Sequence, residues 1–370
     1  MNRIFKYALT LATASTLFTT PAFAQTDVHI LDVGQGLSIL VESQGHAMLY
    51  DGGDRNKSSF VVSYLKEQDI KNLDYVIASH YDSDHLNGVV GALNVFSVKQ
   101  VFAPDYTTDT RVFNSFHSIV KTRKIPKKQP SVGSKYQLGD ATVQILSPSG
   151  SNYSDVNDYS IAVRIVDGDT SFLITGDAGA QAEKEMCSSR LDLDSDVYVM
   201  GHHGSGSSTS WDLLQKVTPE YAVVSCGTGN SYGHPHAESM EKLQSMEIPL
   251  LRTDKQGTLV ASTDGKTIKW NVEPCNDYIP GDSNDKASSA QTQDPQPAQS
   301  STPKSGTSQE TKPSAVSIST EYILNTSTKK IHLPNCKSVK QMKDKNKKST
   351  TESKASLLSQ GYTPCGNCNP

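Results

Sequence analysis

The sequence reads Ser79-His80-Tyr81-Asp82-Ser83-Asp84-His85-Leu86-Asn87-Gly88 at the point that decides its fold, directly after an apolar run at residues 75–78. A short apolar run followed at once by polar residues predicts a buried strand that ends in a loop. Two imidazoles and two carboxylates lie close together in that loop. Because divalent cations neutralise and organise such groups, the stretch predicts a metal site at a strand end. The alternative is a polar loop in which Ser83 or Asp84 caps a helix.

Other apolar runs of the chain also end in residues that carry chemistry. The segments are Asp51-Gly52-Gly53, Phe172-Leu173-Ile174-Thr175-Gly176-Asp177, Gly201-His202-His203-Gly204 and Asn230-Ser231-Tyr232-Gly233-His234-Pro235-His236. Taken alone, a turn that contains Asp and Gly is a weak indication of a metal ligand. Two adjacent histidines between glycines are harder to explain by packing, and the succession of all these segments favours one shared site.

In this order the segments resemble the metallo-β-lactamase superfamily, whose opening signature is H-x-H-x-D-H. Asp82 stands where the second His of that signature usually stands. This departure, the run at 230–236 and the Asp-Val-Gly-Gln-Gly run at 32–36 are similar to the branch formed by the ComEC hydrolase domain and its free-standing relatives. The resemblance implies an α/β fold, the αββα sandwich of this superfamily.

The resemblance also implies a centre of two divalent cations, Zn²⁺ or Mn²⁺. The expected metal ligands are His80, Asp82, Asp84, His85, Asp177 and His202. Asp84, His203 and His234 are expected to take part in catalysis, and Asp51, Asn157, Asp158 and His236 to support the ligands or to face the substrate. We favour His202 over His203 as the ligand because His202 leaves its strand first.

One ligand that most members of the superfamily use has no obvious counterpart in this sequence. The histidine expected between residues 85 and 177 is absent, except for His117, which lies on a polar amphipathic run and is predicted to be on the surface. Asn157 and Asp158 stand at the matching place, so either is a candidate oxygen ligand, or the first site is open. A site richer in oxygen shifts preference from Zn²⁺ towards Mn²⁺ or Mg²⁺.

The C-terminal end of the chain carries a second possible metal site. His332 and Cys336 precede a Cys365-x2-Cys368 pair, which is the pairing of a structural zinc site. Residues 362–370 resemble the small metal-binding module of the Ada DNA-repair protein. A module this small needs a bound metal of this kind to fold. The competing interpretation is a disulfide between two of these cysteines.

Composition divides the chain into four parts. Residues 1–24 have a basic start, a short apolar stretch and an Ala-x-Ala site, which predict a cleaved signal peptide and a secreted protein. Residues 25–274 are expected to form the hydrolase domain, 275–315 a disordered linker rich in Ser, Thr, Pro and Gln, and 316–370 the Ada-like module. After the signal peptide, no apolar run is long enough to span a bilayer.

The charges are distributed unevenly. Residues 316–370 contain nine lysines, no arginine and three acidic residues, whereas the rest of the chain after residue 24 carries a net charge of −12. We therefore expect the lysine-rich module, rather than the acidic domain, to contact DNA or an anionic wall polymer. The pairing of Cys187, Cys226 and Cys275 in a disulfide and the oligomeric state stay open.

These features predict an exported hydrolase that depends on two cations and cleaves phosphodiesters, with DNA as the first candidate substrate. One alternative is an esterase or lactonase that acts on a small or wall-polymer substrate such as phosphorylcholine. The non-enzymatic alternative is a cell-surface protein that binds DNA or metal. The fold alone does not choose among these substrates.

Overall fold

The structure is a computed structural model that describes residues 25–281, 321–365, 368 and 370. The predicted signal peptide at 1–24 lies outside the described residues, and so do residues 282–315 of the predicted linker.

Strands and helices alternate through the larger domain. Its strands are β1 (Thr26–Ile30), β2 (Ile39–Ser43), β3 (His46–Tyr50), β4 (Asn72–Ile77), β5 (Ser97–Phe102), β6 (Lys127–Lys128), β7 (Lys135–Leu138), β8 (Ala141–Ile145), β9 (Val163–Asp167), β10 (Thr170–Ile174), β11 (Val197–Val199), β12 (Tyr221–Val224), β13 (Leu250–Arg252), β14 (Leu259–Thr263) and β15 (Ile268–Trp270). Its α-helices are α1 (Ser58–Glu67), α2 (Ser83–Val95), α3 (Arg111–Thr122), α4 (Ala180–Ser188), α5 (Trp211–Val217), α6 (Ala237–Ser245) and α7 (Thr253–Gln256).

These strands form two mixed sheets. The first sheet has the order β15-β14-β1-β2-β3-β4-β5-β6, and the second has the order β13-β12-β11-β10-β9-β8-β7. Strands β3 to β6 of the first sheet run parallel, as do β10 to β13 of the second. The remaining pairs are antiparallel hairpins or closures, such as β1 with β14.

Apolar side chains pack in three layers around the sheets. The central layer lies between the two sheets and includes Ile39 and Phe172. The first outer layer joins the first sheet to α1, α2 and α3, with Leu86 in its interior. The second outer layer joins the second sheet to α4, α5 and α6, with Leu214 in its interior. The predicted αββα sandwich is therefore confirmed.

The end of this domain differs from the sequence-based boundary. We expected the linker to begin at residue 275, but residues 275–281 pack on the second sheet. The Tyr278 hydroxyl donates to the Ile248 carbonyl (2.6 Å), and Arg252 Nη1 donates to the Asp277 carbonyl (3.0 Å). The low hydrophobicity of this segment concealed these contacts, because they are made by polar atoms.

A small sheet forms the C-terminal module. Its elements are β16 (Tyr322–Asn325), β17 (Lys330–His332), α8 (Lys337–Gln341), β18 (Lys347–Thr350), α9 (Lys354–Ser359) and β19 (Thr363–Pro364), and the strand order is β18-β16-β17-β19. Its buried apolar core consists of Leu324, Ile331, Leu357 and Tyr362. A core of this size stabilises a fold only weakly without a bound metal or a disulfide.

Two sequence-based expectations concern the whole chain. In the described part, no helix is long and apolar enough to cross a membrane. All six cysteines lie in the described part, and all six are free thiols, so the disulfides considered from the sequence are not formed in this structure.

Candidate metal centre

Loops that follow neighbouring strands bring the predicted ligands to one edge of the sandwich. Asp51 follows β3, and His80 follows β4. Asp177 follows β10, and His203 follows β11. Because β3 and β4 are parallel, as are β10 and β11, these loops leave each sheet at its carboxyl edge, where open α/β sheets usually bind ligands.

Two overlapping groups of ligand atoms form at this edge. His80, His85 and Asp177 make one group, and Asp84, His85 and His203 make the other, with the atoms of each group within 4.8 Å of one another. Asp177 reaches both groups, since its Oδ1 lies 3.2 Å from His85 Nε2 and its Oδ2 lies 3.5 Å from His203 Nε2. The arrangement suits two adjacent cations with the Asp177 carboxylate between them.

Asp51 is fully buried beneath the ligand loop and fixes its shape. Its Oδ1 accepts a hydrogen bond from the Ser79 amide (2.8 Å), and its Oδ2 accepts one from the Ser79 hydroxyl (2.6 Å). Oδ2 also lies 2.8 Å from His85 Nδ1, so this nitrogen donates to the carboxylate. His85 consequently presents Nε2 to the cluster. Histidine ligands of metals are usually oriented in this way by a carboxylate partner.

Hydrogen bonds fix the tautomers of the other two inward-facing histidines in the same way. His203 Nδ1 lies 2.9 Å from the Ser225 carbonyl oxygen, which can only accept, so Nδ1 carries the proton. His80 Nδ1 lies 3.0 Å from Ser79 Oγ, whose own proton is donated to the Asp51 carboxylate. His80 and His203 therefore both carry a proton on Nδ1, which leaves Nε2 as the nitrogen that faces the cluster and would bind a metal.

The centre of the cluster contains buried polar atoms that no protein group satisfies. Among the described residues, His80 Nε2 and Asp177 Oδ1 are buried and have no hydrogen-bond partner. Such atoms nearly always find a partner in native structures. Imidazole nitrogens and carboxylate oxygens that converge in this way are a donor set for zinc, manganese or iron, so these residues fit divalent cations.

Electrostatic coupling sets the protonation of the cluster. Burial would lower the pKa of His85 and of His203, but Asp177 outweighs it and raises both, that of His203 to about 9. Burial would raise the pKa of Asp177, but the neighbouring His85 and His203 hold that pKa well below its usual range. Burial likewise opposes the ionised form of Asp84, and His85 again outweighs it and lowers the pKa. Burial, reinforced by the charge of His85, lowers the pKa of His80 to about 4. Ionised carboxylates and neutral imidazoles are the forms that bind metal, so a bound cation would displace a proton from His85 and from His203.

The structure corrects the choice between the two adjacent histidines. We expected His202 to be the ligand, but His203 is the one that joins Asp84 and His85. The φ angles of His202 and His203 are 50° and 57°, so the backbone is left-handed at both residues and turns the second side chain inward. His202 is partly exposed at the rim, with its Nε2 3.7 Å from Asp177 Oδ2.

Asp82 and Asn157 remain candidates for an oxygen ligand of the first cation. Asp82 Oδ2 lies 3.8 Å from His80 Nε2, and its half-exposed side chain borders the cluster. Asn157 has a buried Oδ1 that lacks a hydrogen-bond partner in the described part of the chain. Both candidate atoms are oxygens. The sequence-based expectation of an oxygen-rich first site stays a prediction.

Asp158 has a different task from the one expected of it. Its Oδ1 accepts hydrogen bonds from the amides of Gly179 and Ala182, at 3.1 and 3.0 Å. These amides belong to the start of α4, whose first N–H groups have no partner within the helix. Asp158 therefore caps α4, which begins three residues after Asp177, and its Oδ1 is engaged in that role.

His234 lies over the cluster with one nitrogen available. Gln35 Nε2 lies 3.2 Å from His234 Nδ1 and donates to it, which leaves the proton of the ring on Nε2. The His234 ring lies 5.4 Å from the ring of His202 and 6.0 Å from that of His203. Burial and then the charges of these two histidines lower the pKa of His234 to about 3. His234 is thus a neutral hydrogen-bond donor beside the cluster.

His236, in contrast, has both ring nitrogens engaged. Its Nδ1 accepts from the Gly206 amide (3.0 Å), and its Nε2 donates to the Tyr232 carbonyl (3.0 Å). We expected this residue to face the substrate or to support the ligands. The contacts are those of a residue that holds the loop 230–236 against the loop after His203.

The four residues of the C-terminal metal site also come together. His332, Cys336, Cys365 and Cys368 place one ligand atom each within 4.8 Å of the others, and His332 and Cys365 are fully buried. Cys336 Sγ lies 3.8 Å from Cys365 Sγ, too far for a disulfide. One nitrogen and three sulfurs in this arrangement could bind zinc.

Three residues shape the first centre although their types do not mark them as functional. The Ser79 hydroxyl donates to Asp51 and accepts from His80 Nδ1. The Ser225 carbonyl and the Gln35 side-chain amide fix the tautomers of His203 and His234, respectively. Ser79 and Gln35 lie inside motifs that were considered only for their charged residues and glycines. The carbonyl of Ser225 has no sequence signal, because any residue supplies one.

Comparisons with known proteins agree with this architecture. The sequence model of the Metallo-beta-lactamase superfamily matches residues 31–228. The chain is similar to ComE operon protein 3 of Bacillus subtilis (strain 168), with 27% identity over 70% of this chain and 36% of that protein. It is also similar to Competence protein ComA of Neisseria gonorrhoeae, with 31% identity over 63% of this chain and 31% of that protein.

Among solved structures, the chain is similar to the metallo-beta-lactamase fold protein YhfI from Bacillus subtilis, with 14% identity and a TM-score of 0.46 over 65% of this chain and 100% of that chain. The chain spans about a third of the length of the curated relatives named above. The superfamily match includes the Asp51 turn, the ligand loop, Asp177 and the His202–His203 pair. The chain therefore belongs to the metallo-beta-lactamase superfamily, in the branch that is similar to competence proteins.

Proposed function

We propose that this chain is an exported, metal-dependent phosphodiesterase that acts on DNA. The observation that carries the proposal is the pair of ligand groups that share His85 and are joined by Asp177. DNA is favoured as the substrate because the name of one relative refers to competence, the uptake of DNA. Export is favoured by the predicted signal peptide at residues 1–24.

Two divalent cations, when bound, would supply Lewis acidity towards a phosphoryl oxygen and lower the pKa of water. The residues of the chain position this chemistry. Asp51 and Ser79 hold two of the histidines in the required tautomer. The Nε2–H of His234 is placed to donate to a phosphoryl oxygen, which would stabilise the negative charge that develops there.

A groove beside the ligand loop is suited to the backbone of a nucleic acid. It has a volume of about 650 Å³, and its wall includes Ser83 and Asn87, from the helix that also carries Asp84. Exposed Arg55 and Arg111 also line this groove. Because guanidinium groups pair well with phosphates, they provide local positive charge in an otherwise acidic domain.

An exposed aromatic residue on the other side of the centre is suited to a base. Tyr232 is 64% exposed, and its ring is stacked on His234 with centroids 5.6 Å apart. The loop is held rigid by Asn230, whose Oδ1 accepts from the amides of Tyr232 and His234. An aromatic face presented by a rigid loop is a typical stacking surface for single-stranded nucleic acid.

A substrate panel tests the proposal. The protein is incubated with Mn²⁺ or Zn²⁺ and single-stranded DNA, bis(p-nitrophenyl) phosphate, p-nitrophenyl phosphate, p-nitrophenyl phosphorylcholine or a lactone. We expect cleavage of DNA and of the phosphodiester chromogen, and loss of both in Asp177→Asn. The exposed Asp169, changed to Asn, serves as the control and should leave both rates unchanged.

Other outcomes of the panel would overturn the proposal. Turnover confined to the phosphorylcholine ester or to the lactone would indicate the esterase or lactonase alternative. Full metal binding without turnover of any substrate would indicate a protein that only binds metal or DNA.

Variants of Tyr232 distinguish activity on DNA from activity on small esters. Tyr232→Ala should lower kcat/KM for single-stranded DNA about 5- to 150-fold, because base stacking contributes about 1–3 kcal/mol. Tyr232→Phe keeps the aromatic face and should retain most of the rate. Both variants should cleave the small chromogen as the wild type does, and an equal loss on both substrates in Tyr232→Ala would argue against stacking.

A further inference from the structure

The C-terminal module contacts the larger domain through charged groups. Lys343 Nζ lies 3.1 Å from Asp194 Oδ1, and Lys345 Nζ lies 2.8 Å from Asp196 Oδ1 and 3.2 Å from Glu220 Oε1. Both lysines belong to the basic tail that we expected to contact DNA or a wall polymer. Part of the positive charge of the tail is therefore paired with the acidic domain of the same chain.

The ligand cluster of the module lies at this contact. His332 is fully buried, and its Nε2 lies 3.5 Å from Oε2 of Glu247, which follows helix α6 of the larger domain. The Glu247 side chain is only 12% exposed. A cavity of about 40 Å³ beside this pair is lined by residues of both parts, including Ile248 and Met342. The pair is thus shielded from bulk water.

The chemistry of a histidine ligand explains why a carboxylate lies there. A histidine that binds a metal through one nitrogen usually donates its other ring N–H to a carboxylate, a carbonyl or water. Neither ring nitrogen of His332 has a hydrogen-bond partner among the described residues. If Nδ1 binds the metal, the proton lies on Nε2, which is the nitrogen that faces Glu247.

We propose that Glu247 orients His332 for the tail metal, so that metal binding by the module and docking of the module stabilise each other. The apolar core of the module is too small to fold firmly without the metal. Because such coupling is reciprocal, the docked domain raises the metal affinity of the tail, and the metal strengthens the docking. The proposal does not depend on the substrate of the larger domain.

Cobalt binding tests the first half of the proposal. Co²⁺ bound to thiolates has a sulfur-to-metal charge-transfer absorption that an oxygen and nitrogen site lacks, so titration of the full chain reports the tail site separately. Glu247→Ala should weaken this binding about 10- to 100-fold, the usual loss for a carboxylate partner of a metal ligand. Glu247→Gln keeps an acceptor oxygen and should recover part of the affinity.

The variant is informative because Glu247 lies in the larger domain, so the residues of the module stay unchanged. Glu241→Ala, at an exposed position on the preceding helix α6, is the matched control and should bind Co²⁺ like the wild type. Equal Co²⁺ affinity in Glu247→Ala and Glu241→Ala would overturn the proposal.

Hydrogen exchange tests the second half. Amides of the larger domain near residues 194–196 and 246–249 should exchange several-fold faster in Glu247→Ala than in the wild type at the same metal concentration. Cys365→Ser, which removes a tail ligand, should have the same effect on these segments. Exchange that is unchanged in both variants would show that metal binding and docking are independent.

Discussion

The two adjacent histidines after β11 provide the sharpest test at the scale of single residues. His203→Ala removes a nitrogen from the group that contains Asp84 and His85. Loss of a residue that only hydrogen-bonds to a metal ligand typically lowers metal affinity about 10- to 100-fold. We therefore expect loss of the ligand itself to lower the affinity for one cation at least about 100-fold. His202→Ala removes a side chain from the rim and should leave both cations bound. Elemental analysis after dialysis against a weak chelator measures the difference.

The reverse result, with one cation lost in His202→Ala and both kept in His203→Ala, would contradict the arrangement described here. A fall in activity without loss of metal in His202→Ala would agree with it, because a side chain at the rim can still contact the substrate.

At this scale, the sequence predicted the members of the site better than their roles. The ligand types and their order along the chain identified Asp84, His85 and Asp177, because such groups rarely gather at strand ends without a cation. The choice between His202 and His203 depends on two left-handed backbone angles, which neither residue type signals. The capping role of Asp158 depends on a helix that begins more than twenty residues later.

At the scale of elements, the start of α2 is held against the turn after β3 by two glycines. The Gly52 amide donates to the His85 carbonyl (2.7 Å), and a Cβ atom at Gly88 would collide with the Gly52 carbonyl. Because that obstacle is backbone, a side chain at residue 88 can be accommodated only if α2 moves. The first turn of α2 carries Asp84 and His85, so this close approach sets the position of two metal ligands.

Gly88→Ala should therefore destabilise the protein and weaken metal binding. Alanine in place of glycine within a helix would otherwise add about 1 kcal/mol, but overpacking of this kind costs about 1–3 kcal/mol. We expect a net fall in the free energy of unfolding, measured by denaturant titration, together with lower metal occupancy. Asn94→Ala, at an exposed position of the same helix, is the control, and a stabilised Gly88→Ala variant would contradict the close packing.

Long amphipathic elements were predictable from the sequence, and short ones were not. The polar amphipathic run that contains His117 forms α3, because its apolar residues recur with helical spacing. Strand β13 has three residues and is defined by its pairing with β12, a contact that local sequence does not encode. The segments that carry the ligands were recognisable from their residue types even where the preceding strand is short, since His203 follows β11, a strand of three residues.

At the scale of the whole molecule, the separation of charge along the chain becomes a contact within the chain. The sequence showed a basic tail and an acidic domain, and an external polyanion was the simplest partner for the tail. The structure pairs Lys343 and Lys345 with carboxylates of the domain instead. Charge totals indicate that a contact will form, whereas the partner depends on which surfaces the folded parts bring together.

The pH dependence of this contact follows from Asp196. Burial would raise the pKa of Asp196, but the hydrogen bond from Lys345 and the charges of Lys343 and Lys345 outweigh it and lower the pKa. A carboxyl whose pKa is lowered by folding stabilises the folded state above its ordinary pKa, and that contribution is lost as the pH falls through the lowered value. The charged contact should therefore be fully present at neutral pH and should weaken below about pH 4.

Lys343→Met tests this dependence, because the Lys343 side chain is only 7% exposed and methionine keeps most of its packing. At pH 7 we expect the variant to lose about 1.5–3 kcal/mol in the free energy of unfolding of the docked state, the range for hydrogen bonds to charged groups. The difference between wild type and variant should shrink as the pH is lowered below about 4, because the carboxylates then become protonated in both proteins. Lys340→Met, at an exposed position of α8, should match the wild type at every pH. A difference that stayed constant down to pH 3 would mean that Lys343 acts through packing alone and not through its charge pairs with Asp194 and Asp196.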